Sequence, residues 1–425
     1  MLRIMRCSAI ESQNKNQKSA WKTSAGTLLF VLVWVMCTAC GKQPSASIQT
    51  IPQTQMQEVN RSEEKVSETE SDTTEATEEP AEEPLKYTIR MVGDVLLHTR
   101  VEEAALQEDG SYSFLELFSH TKNLIEEADL AIVNQEVILG GSELKISGYP
   151  CFNGPFEVAD TLHEVGFDVV CHGTNHALDK GKKGILNCLS YWKENYPQMK
   201  ILGIHDSKED EEELCLVDTP LGRIAILNYT YGTNGIKLPE DMPYGVDYLE
   251  EKEVISDIAR AKEAADFVIV CPHWGTEYEL GTDRMQKKWS ELFASNGVNL
   301  VIGTHPHVIE PIEWVDNTLI YYSLGNYVNW TSGEGKGVMN RMVGGMASIT
   351  LAKEEGGGIR IDSYEVIPLV THVEEGINGV TVYPLREYTQ ELAKKNAIVK
   401  QDEDFSLENC SKLVRQVWGE GDSAK

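Results

Sequence analysis

Apolar and polar positions divide the chain into two unlike parts near residue 85. Before that point there is one apolar run, residues 26–39, followed by a stretch of Gln, Ser, Thr, Glu and Pro at 42–84 with almost no aromatic or large aliphatic side chain. After it, short runs of buried character alternate with segments of helical spacing. The residues from Lys86 to Val92 alternate polar and apolar, the period of a half-buried strand. Apolar runs at 130–133, 168–171, 201–202, 223–229, 267–271 and 299–302 predict further strands. Amphipathic spacing predicts helices at 114–127, 156–165, 180–192, 250–264 and 284–295. From residue 308 the pattern changes to consecutive strands, at 308–314, 318–322, 342–352 and 359–367, which are expected to pair antiparallel. Helices at 385–395 and 406–417 end the pattern, and no internal repeat is present.

Composition changes the picture mainly at the front. Residues 1–22 carry Arg3, Arg6, Lys15, Lys18 and Lys22 against Glu11, and the apolar run behind them ends at Cys40. A basic region, an apolar region of roughly fourteen residues and small residues at its end read as an export signal, since a spanning helix needs about 20. Thr38-Ala39-Cys40-Gly41 is similar to a bacterial lipobox, although Cys37 stands where an aliphatic residue is usual. A lipoprotein signal over 1–39 with lipidation at Cys40 is the expectation, and an uncleaved anchor and a buried helix are the alternatives. Residues 40–84 then read as a disordered acidic spacer. The 425-residue chain has a formal net charge of -29, of which residues 1–40 contribute +4 and 42–84 contribute -8, leaving -25 on 85–425. Such an acidic globule repels nucleic acid at long range, so no nucleic-acid partner is expected. Cys171 and Cys271 end apolar runs without paired spacings, which favours buried thiols.

The candidate chemistry sits where strands end, the place at which sites of α/β proteins gather. Gly93-Asp94 follows the first strand with His98 four residues on, and Asn134-Gln135-Glu136 follows the second. Asn175-His176 follows the third, His273 follows the strand at 267–271, and Thr304-His305-Pro306-His307 follows the last. Pro306 pushes His305 towards extended backbone, where residues i and i+2 leave on one side, so both imidazoles are expected to converge. Any one of these residues alone would be ordinary: a solvated histidine or a capping carboxylate. Together, carboxylate, imidazole and amide oxygen without cysteine suit two divalent ions bridged by one carboxylate, of the Mn, Fe or Zn type. Ions of this kind also make hydroxide available near neutral pH.

Gly93-Asp94, Asn134-Gln135-Glu136, Thr174-Asn175-His176 with Asp179, His273-Trp274-Gly275-Thr276-Glu277-Tyr278, His305-Pro306-His307-Val308 and Tyr322-Ser323-Leu324-Gly325-Asn326 occur in that order. Over residues 87–385 this order resembles the calcineurin-like metallophosphoesterase superfamily, and more closely its CapA, or poly-γ-glutamate synthesis, branch. The resemblance implies a four-layer αββα sandwich over 85–385, with 386–425 as a helical extension. It implies that Glu136 bridges the ions, with Asn175, His273 and His305 on one and Asp94 and His307 on the other, and that His176 protonates the leaving oxygen. The superfamily often has histidine where this chain has Leu96, so His98 is a substitute ligand if its loop curls back, and Asn134 is a further candidate. A lipid-anchored protein on the extracytoplasmic face of the cell membrane is expected, working with poly-γ-glutamate synthase or export subunits on an anionic polymer or phosphoester. Two classes of function follow from this reading, a metal-dependent hydrolase and a non-catalytic accessory subunit.

Overall fold

The computed structural model describes residues 85–419. The expected signal at 1–39, Cys40 and the spacer at 40–84 lie outside the described residues. The strands are β1 (Lys86–Val95), β2 (Leu130–Gln135), β3 (Val169–Cys171), β4 (Lys200–Leu202), β5 (Cys215–Thr219), β6 (Gly222–Thr230), β7 (Phe267–His273) and β8 (Leu300–Ile302). They continue with β9 (Ile312–Val315), β10 (Thr318–Tyr321), β11 (Asn326–Val328), β12 (Val343–Lys353), β13 (Ile359–Val373) and β14 (Val380–Pro384). One sheet runs β14-β13-β12-β1-β2-β3-β4 with β11 against β1, and the other runs β5-β6-β7-β8-β10-β9.

Three apolar zones show how the two sheets stack. In the middle, Ile89 and Met91 of β1 and Ile132 of β2 meet Ile226 of β6, Ile269 of β7 and Leu300 of β8. The alternate residues of the same strands face outwards. Val92, Val133 and Val170 pack with helices α1 (Thr99–Ala105), α2 (Leu115–Phe118), α3 (Lys122–Glu126), α4 (Glu157–Glu164) and α5 (Gly181–Asn195). On the far side Ala225, Val268 and Val301 pack with helices α7 (Glu251–Ala264) and α8 (Arg284–Ser295), which follow the short α6 (Lys208–Glu212). The order helix, sheet, sheet, helix is the expected four-layer sandwich. Strands covered on both faces must be apolar at every position, which is why β2, β3, β7 and β8 read as unbroken runs. Each fully buried Val, Leu or Ile contributes about 1.5–3 kcal/mol. Helices α9 (Gln390–Lys395) and α10 (Leu407–Trp418) add Ala393, Cys410 and Leu413 to the first outer zone. Cys171, Cys188, Cys271 and Cys410 are buried free thiols. Among the described residues no helix is long and apolar enough to cross a membrane.

Several expected elements take a different form. The helix expected at 114–127 breaks into α2 and α3, because Thr121 Oγ1 bonds the Tyr327 hydroxyl at 2.6 Å and the Phe118 carbonyl at 3.3 Å, competing with helix continuation. Of the strand expected at 308–314 only β9 forms, beginning after Pro311, whose missing N–H cannot join a ladder. The strands after residue 308 do not make one antiparallel set: β10 pairs antiparallel with β9 but parallel with β8, while β12 and β13 join the other sheet beside β1. β5, β11, β14 and α6 were not anticipated, being short or half-exposed and without a clear period.

Candidate metal centre

The parallel strands of both sheets end at one edge, and their ends carry the site. In β1 the register against β2 shifts between Val92 and Asp94. Gly93 permits this, since a Cβ there would fall 1.9 Å from the Gly325 carbonyl oxygen. A local shift of this kind re-aims the next side chain. Asp94 Oδ1 accepts from Asn134 Nδ2 at 2.8 Å and Oδ2 from the His305 backbone N–H at 3.2 Å. Asn134 therefore holds Asp94.

Glu136 stands at the centre and is fully buried. Its Oε1 lies 3.6 Å from His307 Nε2, 3.9 Å from His273 Nε2 and 4.0 Å from His176 Nε2. Neither carboxylate oxygen has a hydrogen-bond partner, and His305 Nδ1 is likewise buried without one. Burial pushes the Glu136 carboxyl well above the usual carboxylate range and holds the His273 and His305 imidazoles well below theirs. His307 goes the other way, because Glu136 and Asp94 outweigh burial and raise it to about 10. Buried polar groups are normally paired, and leaving a carboxylate unpaired costs several kcal/mol, a cost that a cation among the donors would remove. Ligating atoms of Glu136, His305 and His307 all lie within 4.8 Å of one another. A divalent ion at about 2.1 Å from each ligand spaces them by about 3–4 Å, so a small contraction suffices. The residues fit such an ion.

Neighbouring groups set each ring. Asn326 Oδ1 accepts from His307 Nδ1 at 3.0 Å, while its Nδ2 donates to the His307 and Arg341 carbonyls, so His307 Nε2 is left free to face Glu136. Thr304 Oγ1 lies 3.0 Å from His273 Nδ1, and Asn175 Oδ1 lies 3.0 Å from His273 Nε2, a side chain and an oxygen able to share one cation. His176 Nδ1 donates to Asp179 Oδ2 at 2.7 Å, and Phe152 packs edge-on against the ring at 4.6 Å. These second partners fix tautomers and orientations.

Asp94, Glu136, Asn175, His176, His273, His305 and His307 are thus brought to one place. His98 packs against Phe152, whose ring lies 5.3 Å from it and 4.6 Å from that of His176, and burial, with smaller contributions from His307 and His176, lowers its imidazole to about 3. The backbone expected of His305 is corrected. His305 and His307 have φ of 101° and 59°, left-handed rather than extended, so the rings converge through a tight turn about Pro306. The Pro306 ring disfavours the right-handed α region for His305 but does not exclude positive φ, and packing supplies the rest. Roles for Asn326, Thr304 and Tyr231, whose ring lies 4.6 Å from His305, were not anticipated. Asn326 was open to discovery, because Gly325-Asn326 has the same form as Gly93-Asp94 and pairs with it across β1 and β11.

The chain is 33% identical over 181 residues to the PGA biosynthesis protein CapA of Bacillus subtilis (strain 168), covering 41% of this chain and 47% of that one. It is 26% identical over 258 residues to the capsule biosynthesis protein CapA of Bacillus anthracis, covering 58% and 61%. The aligned part is therefore about half of the first relative and under two thirds of the second. Among solved structures, NAD nucleotidase of Haemophilus influenzae is 14% identical with a TM-score of 0.42, over 79% of this chain and 67% of that one. The 5'-nucleotidase of Candida albicans SC5314 is 11% identical with a TM-score of 0.39, over 78% and 57%. The sequence pattern of the bacterial capsule synthesis protein PGA_cap matches residues 88–331, more than half of the chain, and this protein belongs to that family.

Proposed function

We propose that this protein is a metal-dependent hydrolase of the phosphoesterase kind, holding two divalent cations, that serves the synthesis or export of an anionic surface polymer such as poly-γ-glutamate. The observation that carries the reading is the Glu136 carboxylate, fully buried, unpartnered and surrounded by imidazole nitrogens. Family membership and the names of the two Bacillus relatives support the polymer. Glu136 would bridge the two ions, with Asn175, His273 and His305 holding one and Asp94 and His307 the other. Bound there, divalent ions supply Lewis acidity and a hydroxide near neutral pH. The protein's own part is positional: Asn326 and Thr304 hold the rings of His307 and His273, Asn134 holds Asp94, and the buried edge limits water. His176, held by Asp179, would give a proton to a leaving oxygen. The basic and apolar segments before Cys40 support a lipid anchor at that residue, at the extracytoplasmic face of the membrane, beside synthase or export subunits.

Metal analysis and a generic phosphodiester assay test the reading together. After purification with Mn or Zn, about two ions per chain and metal-dependent turnover are expected, and Glu136→Gln should lose both. Less than one ion per chain would overturn it. Full metal content with no turnover on any ester would instead make the protein an accessory subunit.

A further inference from the structure

We propose that Arg341 recognises a second oxyanion of the substrate, a carboxylate or phosphate that lies apart from the cluster around Glu136. The proposal rests on the hydrolase reading above and names the substrate class of the same site.

Arg341 is joined to the site twice. Its carbonyl accepts from Asn326 Nδ2 at 2.9 Å, the same side chain that orients His307. Its guanidinium lies 3.7 Å over the ring of Tyr278. Tyr278 in turn sits on the His305-Pro306-His307 turn, with its N–H donating to the Pro306 carbonyl at 2.8 Å and its ring 5.9 Å from that of His307. The stack therefore presents a cation at the rim of the centre.

That cation has no partner among the described residues. Among the other described arginines, Arg90, Arg223, Arg260, Arg360 and Arg386 each lie within 4.0 Å of a carboxylate, while Arg100, Arg284 and Arg415 have no such partner but are exposed. No carboxylate lies that close to Arg341, its side chain makes no hydrogen bond, and its Nε is buried without an acceptor. In a chain with 67 acidic residues against 38 Lys and Arg, a half-buried guanidinium with no carboxylate partner among the described residues is unusual. Glu277, exposed and adjacent to Tyr278, is the acid best placed to compete, and it does not pair with Arg341. An unpaired buried donor costs free energy, which an incoming oxyanion recovers. Stacking on an aromatic ring removes rotamer freedom in advance, and the planar fork matches two oxygens of a carboxylate or phosphate. Arg341 is then a specificity residue, favouring substrates that carry negative charge beyond the group being cleaved, as each unit of an anionic polymer does.

The test uses the metal-loaded full chain and three p-nitrophenyl phosphodiesters that differ only in whether the second arm ends in carboxylate, phosphate or carboxamide. The wild type should favour one of the anionic arms over carboxamide by about tenfold in kcat/KM, mostly through KM, and that arm names the ligand. Arg341→Met should abolish the preference with metal content unchanged, and Arg341→Lys should restore part of it. Equal losses on all three esters, or the same loss in Glu277→Gln, would overturn the proposal. If the loaded wild type cleaves none of them, the hydrolase reading fails, and calorimetric binding of oligo-γ-glutamate decides on Arg341 alone. Binding weakened about tenfold in Arg341→Met sustains the proposal, and unchanged binding ends it.

Discussion

Around Glu136 the role of each side chain follows from what it is bonded to. His307 and His273 have their Nδ1 atoms engaged by Asn326 and Thr304, which leaves Nε2 facing inwards. His176 is engaged by Asp179 and stands 4.0 Å from Glu136, the longest of the three imidazole approaches. His176→Ala is expected to lower turnover by about 10²- to 10⁴-fold while leaving metal content near that of the wild type. His305→Ala should empty a site, so comparing metal content in the two variants separates a proton donor from a ligand. All seven converging residues were legible as polar residues at strand ends. Their partner Thr304 was not, because a hydroxyl that orients a ring has no sequence spacing of its own, whereas Asn326 was open to discovery through the likeness of Gly325-Asn326 to Gly93-Asp94. The left-handed His305 was hidden for a different reason: a rule about the residue before proline states which conformations are disfavoured, and packing chooses among the others.

At the scale of elements, the site depends on close approach between neighbouring strand ends within a sheet. A Cβ on Gly303 would fall 2.1 Å from the Tyr322 carbonyl oxygen and 2.3 Å from Trp274 Nε1. Gly303→Ala should therefore push the segment after β8 away from β10, destabilising the protein by about 3 kcal/mol and weakening metal binding through displaced histidines. Thermal unfolding with and without added metal checks this, and an unshifted midpoint would show that the loop gives way elsewhere. Long elements with a steady period, such as α5, α7, α8 and β12, lie within a few residues of expectation. β11 did not, since three residues are too few to show a period and its ladder is made by β1.

For the molecule as a whole, the charge cluster around His205 contributes to the dependence on pH. Burial pulls His205 down, but Asp247 at 2.8 Å and Asp210 at 3.6 Å outweigh it and raise its imidazole to about 9 from 6.5. A raised pKa gives stability that is complete below 6.5 and is lost as pH rises through about 9. Asp210, held down to about 2 chiefly by its bond to His205, contributes above 3.8 and loses that contribution as pH falls through about 2. His205→Gln should thus cost about 2 kcal/mol at pH 6 and much less at pH 9.5, as read by urea unfolding at both. A gap that stays constant would place the effect in packing. Outside the described residues, Cys40→Ser should yield an uncleaved or released protein, and fractionation with mass analysis of the N-terminus distinguishes this from an uncleaved anchor. The sequence by itself determined the alternation of strand and helix and the identity of the converging residues, because burial on both faces and polarity at strand ends are written locally, whereas the four-layer order was only implied by its resemblance to a known family. Only the tertiary structure decided which sheet each late strand joins, that His98 packs against Phe152, and that Arg341 is left unpaired beside Tyr278. Those outcomes depend on distances between residues far apart in the chain, which no local pattern encodes.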